Sequence, residues 1–307
     1  MLVSVVIPVL NEEENVEELY SALKSALEPE EFDYELLFVD DGSTDRTVEL
    51  LKPFAEKDAK VRLLEFRRNF GKAAAWAAGF DNAKGDVIVT IDADLQNDPK
   101  DIPKLVSYIG VYDVVNGWRK KRKDPFVIRR FPSIIANWLI SKVTGVKLLD
   151  YGTGLKAYKA DVVKNINIYG EMHRFIPAVA SWYGVKIIEV ETTHHPRRRG
   201  KSKYGISRTL IVFLDLITIK FLQSFSTKPL QAFGPIGLVC GAAGFLINLY
   251  LAFVWFSGEA IGHRPLLLLG ILLVIVGIQL IGMGLLGEML VSSYHEGDKK
   301  PLYVLKN

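Results

Sequence analysis

The chain has 307 residues, 49% of them hydrophobic, and a mean hydropathy of +0.18, an apolar content that a soluble core alone does not account for, so membrane segments must be sought first. A formal net charge of +3 is too small to argue for nucleic acid, and none is expected as a partner. The single Cys240 excludes an internal disulfide framework and a Cys-rich zinc site.

Through the first half, apolar runs bounded by turn residues alternate with helical patterns, which is the signature of α/β chains with a mostly parallel sheet. A strand is expected at Leu2–Val9, a helix at Glu14–Leu27, a strand at Tyr34–Val39, and a helix at Arg46–Asp58 opened by the capping oxygens of Ser43, Thr44 and Asp45. A strand at Val61–Phe66, a helix at Lys72–Asn82, and strands at Val87–Ile91 and Asp113–Asn116 follow. Two strongly apolar segments with basic flanks, Phe131–Thr144 and Ile206–Ser226, are suited to lying in the headgroup layer of a membrane, the alternative being helices packed on the sheet. From Pro229 to Gly258 and from Pro265 to Gly287 there is no Asp, Glu, Lys or Arg. Each stretch is long enough to span a bilayer, giving two transmembrane helices at about Leu230–Phe256 and Leu266–Leu290.

The expected organisation is therefore an α/β domain over residues 1–205, an interfacial helix over 206–228, a two-helix hairpin over 229–291 and a tail over 292–307. Leu2–Val9 is too short and lacks the basic leader of a signal peptide. Arg197 to Lys203, Arg208, Lys220 and Lys228 precede the first span, and Lys299 and Lys300 follow the second. By the positive-inside rule the α/β domain and both termini are expected in the cytoplasm of a multi-pass inner or plasma membrane protein, with Ser257–Arg264 as the outer turn.

In doubly wound sheets, ligands sit beyond the carboxyl ends of the strands, and here the residues after the strands are acidic. Asn11 and Glu12 follow the first strand, Asp40 and Asp41 end the second, and Asp92-Ala93-Asp94-Leu95-Gln96 follows the fourth. Gly-x-Gly-x-x-Gly is absent after the first strand, which disfavours a dinucleotide site and hydride transfer. Asp92 and Asp94 are spaced so that two carboxylates can converge on one hard divalent cation, Mg²⁺ or Mn²⁺, leaving its other positions to water and phosphate oxygens. For Asp41 a turn into the following helix is an equal account, because Asp-Gly-Ser makes a stable turn. His194 and His195, adjacent on an extended segment, point to opposite faces and make a poor chelate, so they read as structural; Trp182 and Tyr183 read as core packing.

The words Val6-Ile7-Pro8-Val9-Leu10-Asn11-Glu12, Val39-Asp40-Asp41-Gly42-Ser43-Thr44-Asp45, Arg68-Asn69-Phe70-Gly71-Lys72, Asp92-Ala93-Asp94-Leu95-Gln96 and Asp150-Tyr151-Gly152-Thr153-Gly154-Leu155 resemble the family 2 glycosyltransferases of the Rossmann-like GT-A fold. Within it they resemble the polyprenyl-phosphate glycosyltransferases, related to dolichol-phosphate mannose synthase. The two trailing spans resemble the bacterial branch that makes glucosyl-phosphate lipids for cell-surface glycan modification. That resemblance implies inverting transfer of a hexose, glucose from UDP-glucose being favoured, to undecaprenyl or another polyprenyl phosphate, and a tetrameric assembly. GDP-mannose, or an N-acetylated or amino sugar, stays open as the alternative donor. A non-catalytic membrane protein with a degenerate domain is the distant alternative. A processive polysaccharide synthase would carry Gln-x-x-Arg-Trp and several spans, which this sequence lacks.

By the same resemblance Pro8, Glu12, Asp40, Asp41, Lys72, Asp92 and Gln96 bind the nucleotide-sugar, and Asp92 and Asp94 hold the metal. Transfer between two anions requires cations at the acceptor entrance. Arg129, Arg130, Arg197, Ser202 and Lys203 are expected there, with Arg119 and Asp94 acting at the reaction centre, while Lys120, Lys121, Arg122 and Lys123 read as topology signals. A lipid phosphate is ionised at neutral pH and has little need of a general base, so Asp150 is expected to orient acceptor or donor sugar.

Overall fold

The computed structural model describes residues 1–120, 131–164, 166, 174–182, 184–196, 217, 218, 220, 221, 224, 225 and 228–296. The chain divides after Lys220 into two compact units.

The first unit is built on a sheet of seven strands, Leu2–Val9 (β1), Asp33–Asp40 (β2), Val61–Glu65 (β3), Val87–Thr90 (β4), Val114–Trp118 (β5), Lys156–Lys159 (β6) and Ile187–Glu191 (β7), in the order β3-β2-β1-β4-β6-β5-β7. β6 runs antiparallel to both β4 and β5, so β5 and β7 point the same way as β1 to β4. The result is a mostly parallel mixed sheet of the expected α/β class.

Helices cover both faces. Val16–Leu27 (α1), Thr47–Lys57 (α2) and Ile102–Ser107 (α4) pack on one side; Lys72–Asn82 (α3), Phe131–Thr144 (α5), Ala160–Lys164 (α6) and Ile176–Ser181 (α7) pack on the other. α1 buries Val16, Leu19, Leu23 and Leu27, the three-and-four spacing of an apolar helix face, against Val3, Val5 and Ile7 of β1. Each such side chain stabilises the fold by about 1.5–3 kcal/mol. On the opposite side α3 approaches β1 so closely that a Cβ on Gly79 would stand 2.1 Å from Val6 Cγ1. This close approach seats the N-terminus of α3 at the carboxyl end of the sheet.

α4, β6, α6, α7 and β7, four to six residues long, went unforeseen. The opening of α2 also differs from expectation. Asp45 Oδ1 accepts from Thr47 N–H at 3.0 Å, but the Ser43 hydroxyl accepts instead from Asn11 N–H at 2.9 Å.

The second unit is a hairpin of Pro229–Phe256 (α8) and Pro265–Glu296 (α9). α8, with 28 residues, and the charge-free stretch Pro265–Gly287 of α9, with 23, contain 18-residue windows of mean hydropathy 2.0 and 2.8 and are long and apolar enough to cross a membrane. They are not the buried core helices of a soluble protein, since Val239, Phe245 and Leu268 are 69%, 62% and 73% exposed. The two helices meet along glycines seven residues apart. A Cβ on Gly237 would lie 2.8 Å from Gly277 O, and one on Gly244 2.6 Å from Gly270 O, so only glycine permits the backbones to close.

Candidate active site

From β1 the chain moves outward to β2 and β3, then crosses back to place β4 on the other side of β1. Strand order reverses there, and a crevice opens beyond the carboxyl ends of β1 and β4. Val6 C=O accepts from Ile91 N–H at 3.2 Å, after which the ladder between the two strands ends. Pro8, two residues on, faces the same way and has no N–H to leave unpaired at the opening. Asn11 (φ 51°) and Leu95 (φ 55°) are the two non-glycine residues with positive φ among the described residues, one on each lip. Such backbone costs on the order of 1–3 kcal/mol and persists where surrounding bonds over-determine it.

Those bonds are present on the β1 lip. Asn11 Oδ1 accepts from Thr44 N–H at 2.8 Å, Glu12 N–H donates to Thr47 Oγ1 at 2.8 Å, and Glu12 Oε2 accepts from Asn15 Nδ2 at 2.7 Å. Asp40, 2% exposed, accepts from Gly42 N–H and Ser43 N–H at 3.1 Å and so shapes the turn after β2; burial pushes its carboxyl above the usual range. Asp41 reaches the other way, accepting from Phe70 N–H at 2.7 Å and Gly71 N–H at 3.0 Å. Its charge therefore sits at the positive end of α3 and fixes the loop that presents Lys72. Gly42 (φ 76°) lies in this joint, where a Cβ would be 2.5 Å from the Arg68 carbonyl carbon.

Lys72, the first residue of α3, donates to Asp92 Oδ1 at 2.5 Å with its Nζ 5.2 Å from the ring centroid of Trp76. Asp92 lies against Gly154, where a Cβ would stand 2.3 Å from its Cγ. Asp94 Oδ1 accepts from Gln96 N–H at 3.2 Å, closing the turn, and Gln96 C=O accepts from His195 N–H at 2.9 Å. No group of three or more metal-ligating side chains exists among the described residues. Two carboxylates, Asp92 and Asp94, are the donor type that suits a hard cation completed by substrate phosphate, as Mg²⁺ commonly is.

A second charged pair lies beside Gly152, where a Cβ would stand 3.3 Å from Arg119 Nη2 and 3.7 Å from Asp150 Oδ1. Arg119 grips Asp150 through both oxygens, Nε to Oδ2 at 2.6 Å and Nη2 to Oδ1 at 2.8 Å, with side chains 13% and 3% exposed. A bidentate, desolvated pair of this kind is directional as well as strong. The Asp150 backbone is held in turn, its N–H by Glu189 Oε1 at 2.8 Å and its C=O by Asn116 Nδ2 at 2.9 Å.

Sequence reasoning overlooked Asn116, Glu189 and Lys156. Lys156 is fully buried, donating to Tyr151 C=O at 3.2 Å with its Nζ 5.9 Å from the Trp76 centroid, and burial pushes its ammonium down to about 7. Burial likewise raises the Glu189 carboxyl. Only Asn116 carried a signal, as a polar side chain in the strand expected at Asp113–Asn116.

His194 is buried, and His195 Nε2 lies 3.0 Å from Asp98 Oδ2. Arg129, Arg130, Arg197, Ser202, Lys203 and Tyr183 lie outside the described residues.

Strand-end carboxylates and an Arg-clamped carboxylate thus gather beyond the switch point of an α/β sheet. Residues 4–166 match the glycosyl transferase family 2 model. Dodecaprenyl-phosphate galacturonate synthase of Rhizobium johnstonii is 44% identical over 99% of this chain and 91% of its own length. Undecaprenyl-phosphate 4-deoxy-4-formamido-L-arabinose transferase of Pseudomonas paraeruginosa is 38% identical over 99% and 89%. Among solved structures, glucosyl-3-phosphoglycerate synthase from Mycobacterium tuberculosis, in complex with Mn²⁺ and UDP-glucose, superposes with a TM-score of 0.54 at 18% identity, covering 72% of this chain and 78% of that one, a likeness of fold. The chain belongs to glycosyl transferase family 2, is a glycosyltransferase, and has the GT-A fold followed by two apolar helices.

Proposed function

We propose that the chain transfers one sugar from a nucleotide-sugar to a polyprenyl phosphate at the cytoplasmic face of the membrane, giving a glycosyl-phosphoryl-polyprenol. The observation that carries this reading is the pair of anchored carboxylates at the two ends of the segment from Asp150 to Gly154: Asp92, with Lys72, against Gly154 on the donor side, and Asp150 with Arg119 at the other end. The full-length match to two polyprenyl-phosphate sugar transferases supports the acceptor.

Pro8, Glu12, Asp40 and Asp41 line or shape the nucleotide lip, where a carboxylate is the acceptor type that a ribose hydroxyl or base N–H requires. Asp92 and Asp94, with Gln96 beside them, would hold Mg²⁺ or Mn²⁺, which when bound offsets charge on the departing diphosphate. A lipid phosphate oxygen attacks the anomeric carbon as the bond to the nucleoside diphosphate breaks, so configuration inverts and no enzyme nucleophile is needed. With both Asp150 oxygens engaged by Arg119, we assign Asp150 to orientation rather than proton removal. Arg129, Arg130, Arg197, Ser202 and Lys203 are assigned to the lipid phosphate from the sequence alone.

Membrane association has two supports: the apolar hairpin, and a patch on the catalytic unit where Ile134, Trp138 and Leu149 are 51%, 60% and 62% exposed, with Lys142 Nζ 5.1 Å from the Trp138 centroid. Aromatic, aliphatic and basic side chains in one patch suit a headgroup layer. α5 also packs inward, since its Ile140 belongs to the core cluster that contains Ile176 and Val179 of α7; its place in the headgroup layer is part of the proposal. Cytoplasmic placement of both termini and a tetrameric assembly belong to the same proposal.

For the sugar, the names of the two relatives favour a uronic acid or a formamido-pentose over the glucose suggested by the spans. The test incubates purified protein with undecaprenyl phosphate, Mg²⁺ or Mn²⁺, and a panel including UDP-galacturonate, UDP-glucose, a UDP-linked formamido-arabinose and GDP-mannose, followed by mass analysis of extracted lipid. One sugar residue added to the lipid phosphate, with nucleoside diphosphate released, is expected. Lipid left unmodified by every donor would end the proposal, and a glucosyl product would restore the reading of the spans.

A further inference from the structure

Four buried or half-buried polar residues lie side by side across four adjacent strands. Thr90 of β4 pairs with Lys156 of β6, Lys156 with Asn116 of β5, and Asn116 with Glu189 of β7. Directly paired residues project to the same face. The neighbouring row on that face, two residues further from the site, is Ile88, Tyr158, Val114 and Ile187. The sheet thus changes from apolar to polar in one step, at its last row before the crevice.

Each member of the polar row reaches the backbone of the segment from Leu149 to Gly154. Thr90 Oγ1 donates to Gly154 C=O at 2.9 Å, Lys156 Nζ to Tyr151 C=O at 3.2 Å and Asn116 Nδ2 to Asp150 C=O at 2.9 Å. Glu189 accepts from Leu149 N–H at 2.9 Å and Asp150 N–H at 2.8 Å. One end of the segment carries the carboxylate clamped by Arg119, and the other abuts Asp92.

Thr90, Lys156 and Asn116 are 0% exposed, and Lys156 is an expensive residue to bury. Stability alone would be served as well by apolar residues, as the neighbouring row shows. We propose that this row is a positioning device for the transfer reaction: it holds the segment from Leu149 to Gly154 by its backbone and so sets the separation between Asp92 and the Asp150–Arg119 pair. The inference rests on the transfer reading above.

The test uses the full chain in detergent and compares kcat, donor KM and Tm for Thr90→Val, Thr90→Ser, Asn116→Leu and Lys156→Met. A misplacement of about 1 Å costs roughly 10²-fold in rate, so kcat should fall about 10²-fold in Asn116→Leu and Lys156→Met and about 10-fold in Thr90→Val, with donor KM within about 2-fold of wild type. Thr90→Ser, which keeps the hydroxyl, should recover most of the loss, and Lys156→Met should lose kcat without losing Tm. Folded variants that turn over at the wild-type rate would overturn the proposal. So would a loss of kcat that merely follows Tm and donor KM, with Thr90→Ser no better than Thr90→Val. A wild-type chain inactive with every donor would remove the transfer reading and the device together, whereas an active wild type with unimpaired variants removes the device alone.

Discussion

On the β3-β2-β1 side of β4, the residues at the crevice come from turns that follow strands, and their bonds are made with the neighbouring turns. Asn11 holds Thr44, Asp40 holds its own turn, and Asp41 holds the Phe70-Gly71 loop. On the β6-β5-β7 side, the side chains that organise the site lie inside strands, and they hold another segment by its backbone. The first half resembles a set of corners, each built from a few contiguous residues and tied to the next by a side chain. The second half is assembled from residues 90, 116, 150, 156 and 189, which share nothing in sequence. A substitution in the first half should therefore damage the ligand that its own turn presents, whereas one in the second half should damage geometry at a distance.

The largest effect is expected where the donor half meets chemistry. Asp92→Asn combined with Asp94→Asn should lower transfer by at least about 10³-fold, because the divalent cation they would hold to balance the diphosphate is lost. Retained transfer to prenyl phosphate in the presence of EDTA would remove these carboxylates from the reaction. Next comes Asp150→Asn, expected to cost about 10²-fold in kcat with little change in donor KM, since the Arg119 clamp loses its charged partner. The deficit should be the same across pH 6.5–9.5 as set by buffer. Recovery at high pH would show that Asp150 removes a proton and would reverse its assignment. Smaller again is Gly154→Ala, whose Cβ would meet the Asp92 carboxylate. As the joint between the halves, this site should lose roughly 10-fold and show the loss in kcat and donor KM alike; a change confined to either parameter would place the joint in one half only.

The contrast also explains what could be read in advance. β1 and β2 announced themselves as apolar runs because both of their faces are covered, and the corners after them announced themselves because turn chemistry is local. Asp41 was legible as a turn residue or a ligand; its bonds to Phe70 and Gly71 show how it supports the presentation of Lys72. Lys156 was illegible. A lysine in Leu-Lys-Ala-Tyr reads as solvent-facing, and its burial follows only from the antiparallel insertion of β6 between β4 and β5, a pairing between residues 66 positions apart at Thr90 and Lys156. Glu189, in the alternating run Ile-Ile-Glu-Val-Glu of the edge strand, likewise reads as solvent-facing.

The smallest expected effect separates the halves thermodynamically. Lys156 is surrounded by Asp150 and Arg119 from one pair and by Asp92 and Lys72 from the other, and burial lowers its ammonium from 10.5 to about 7. Below pH 7 the lysine is protonated in folded and unfolded chains alike, and the folded state bears the full cost of the buried charge. Between about 7 and 10.5 the unfolded chain binds the additional proton, so the folded state gains stability relative to it as pH rises. Lys156→Met, which has no charge to bury, should exceed wild type in Tm by on the order of a few degrees at pH 6, and the advantage should shrink steadily toward pH 9.5. Thermal unfolding at those two buffer values and one between them measures the trend. An advantage that stayed constant, or grew with pH, would mean that the lysine keeps its proton in the fold, and that the polar row is balanced by Asp150 and Asp92 more completely than its burial implies.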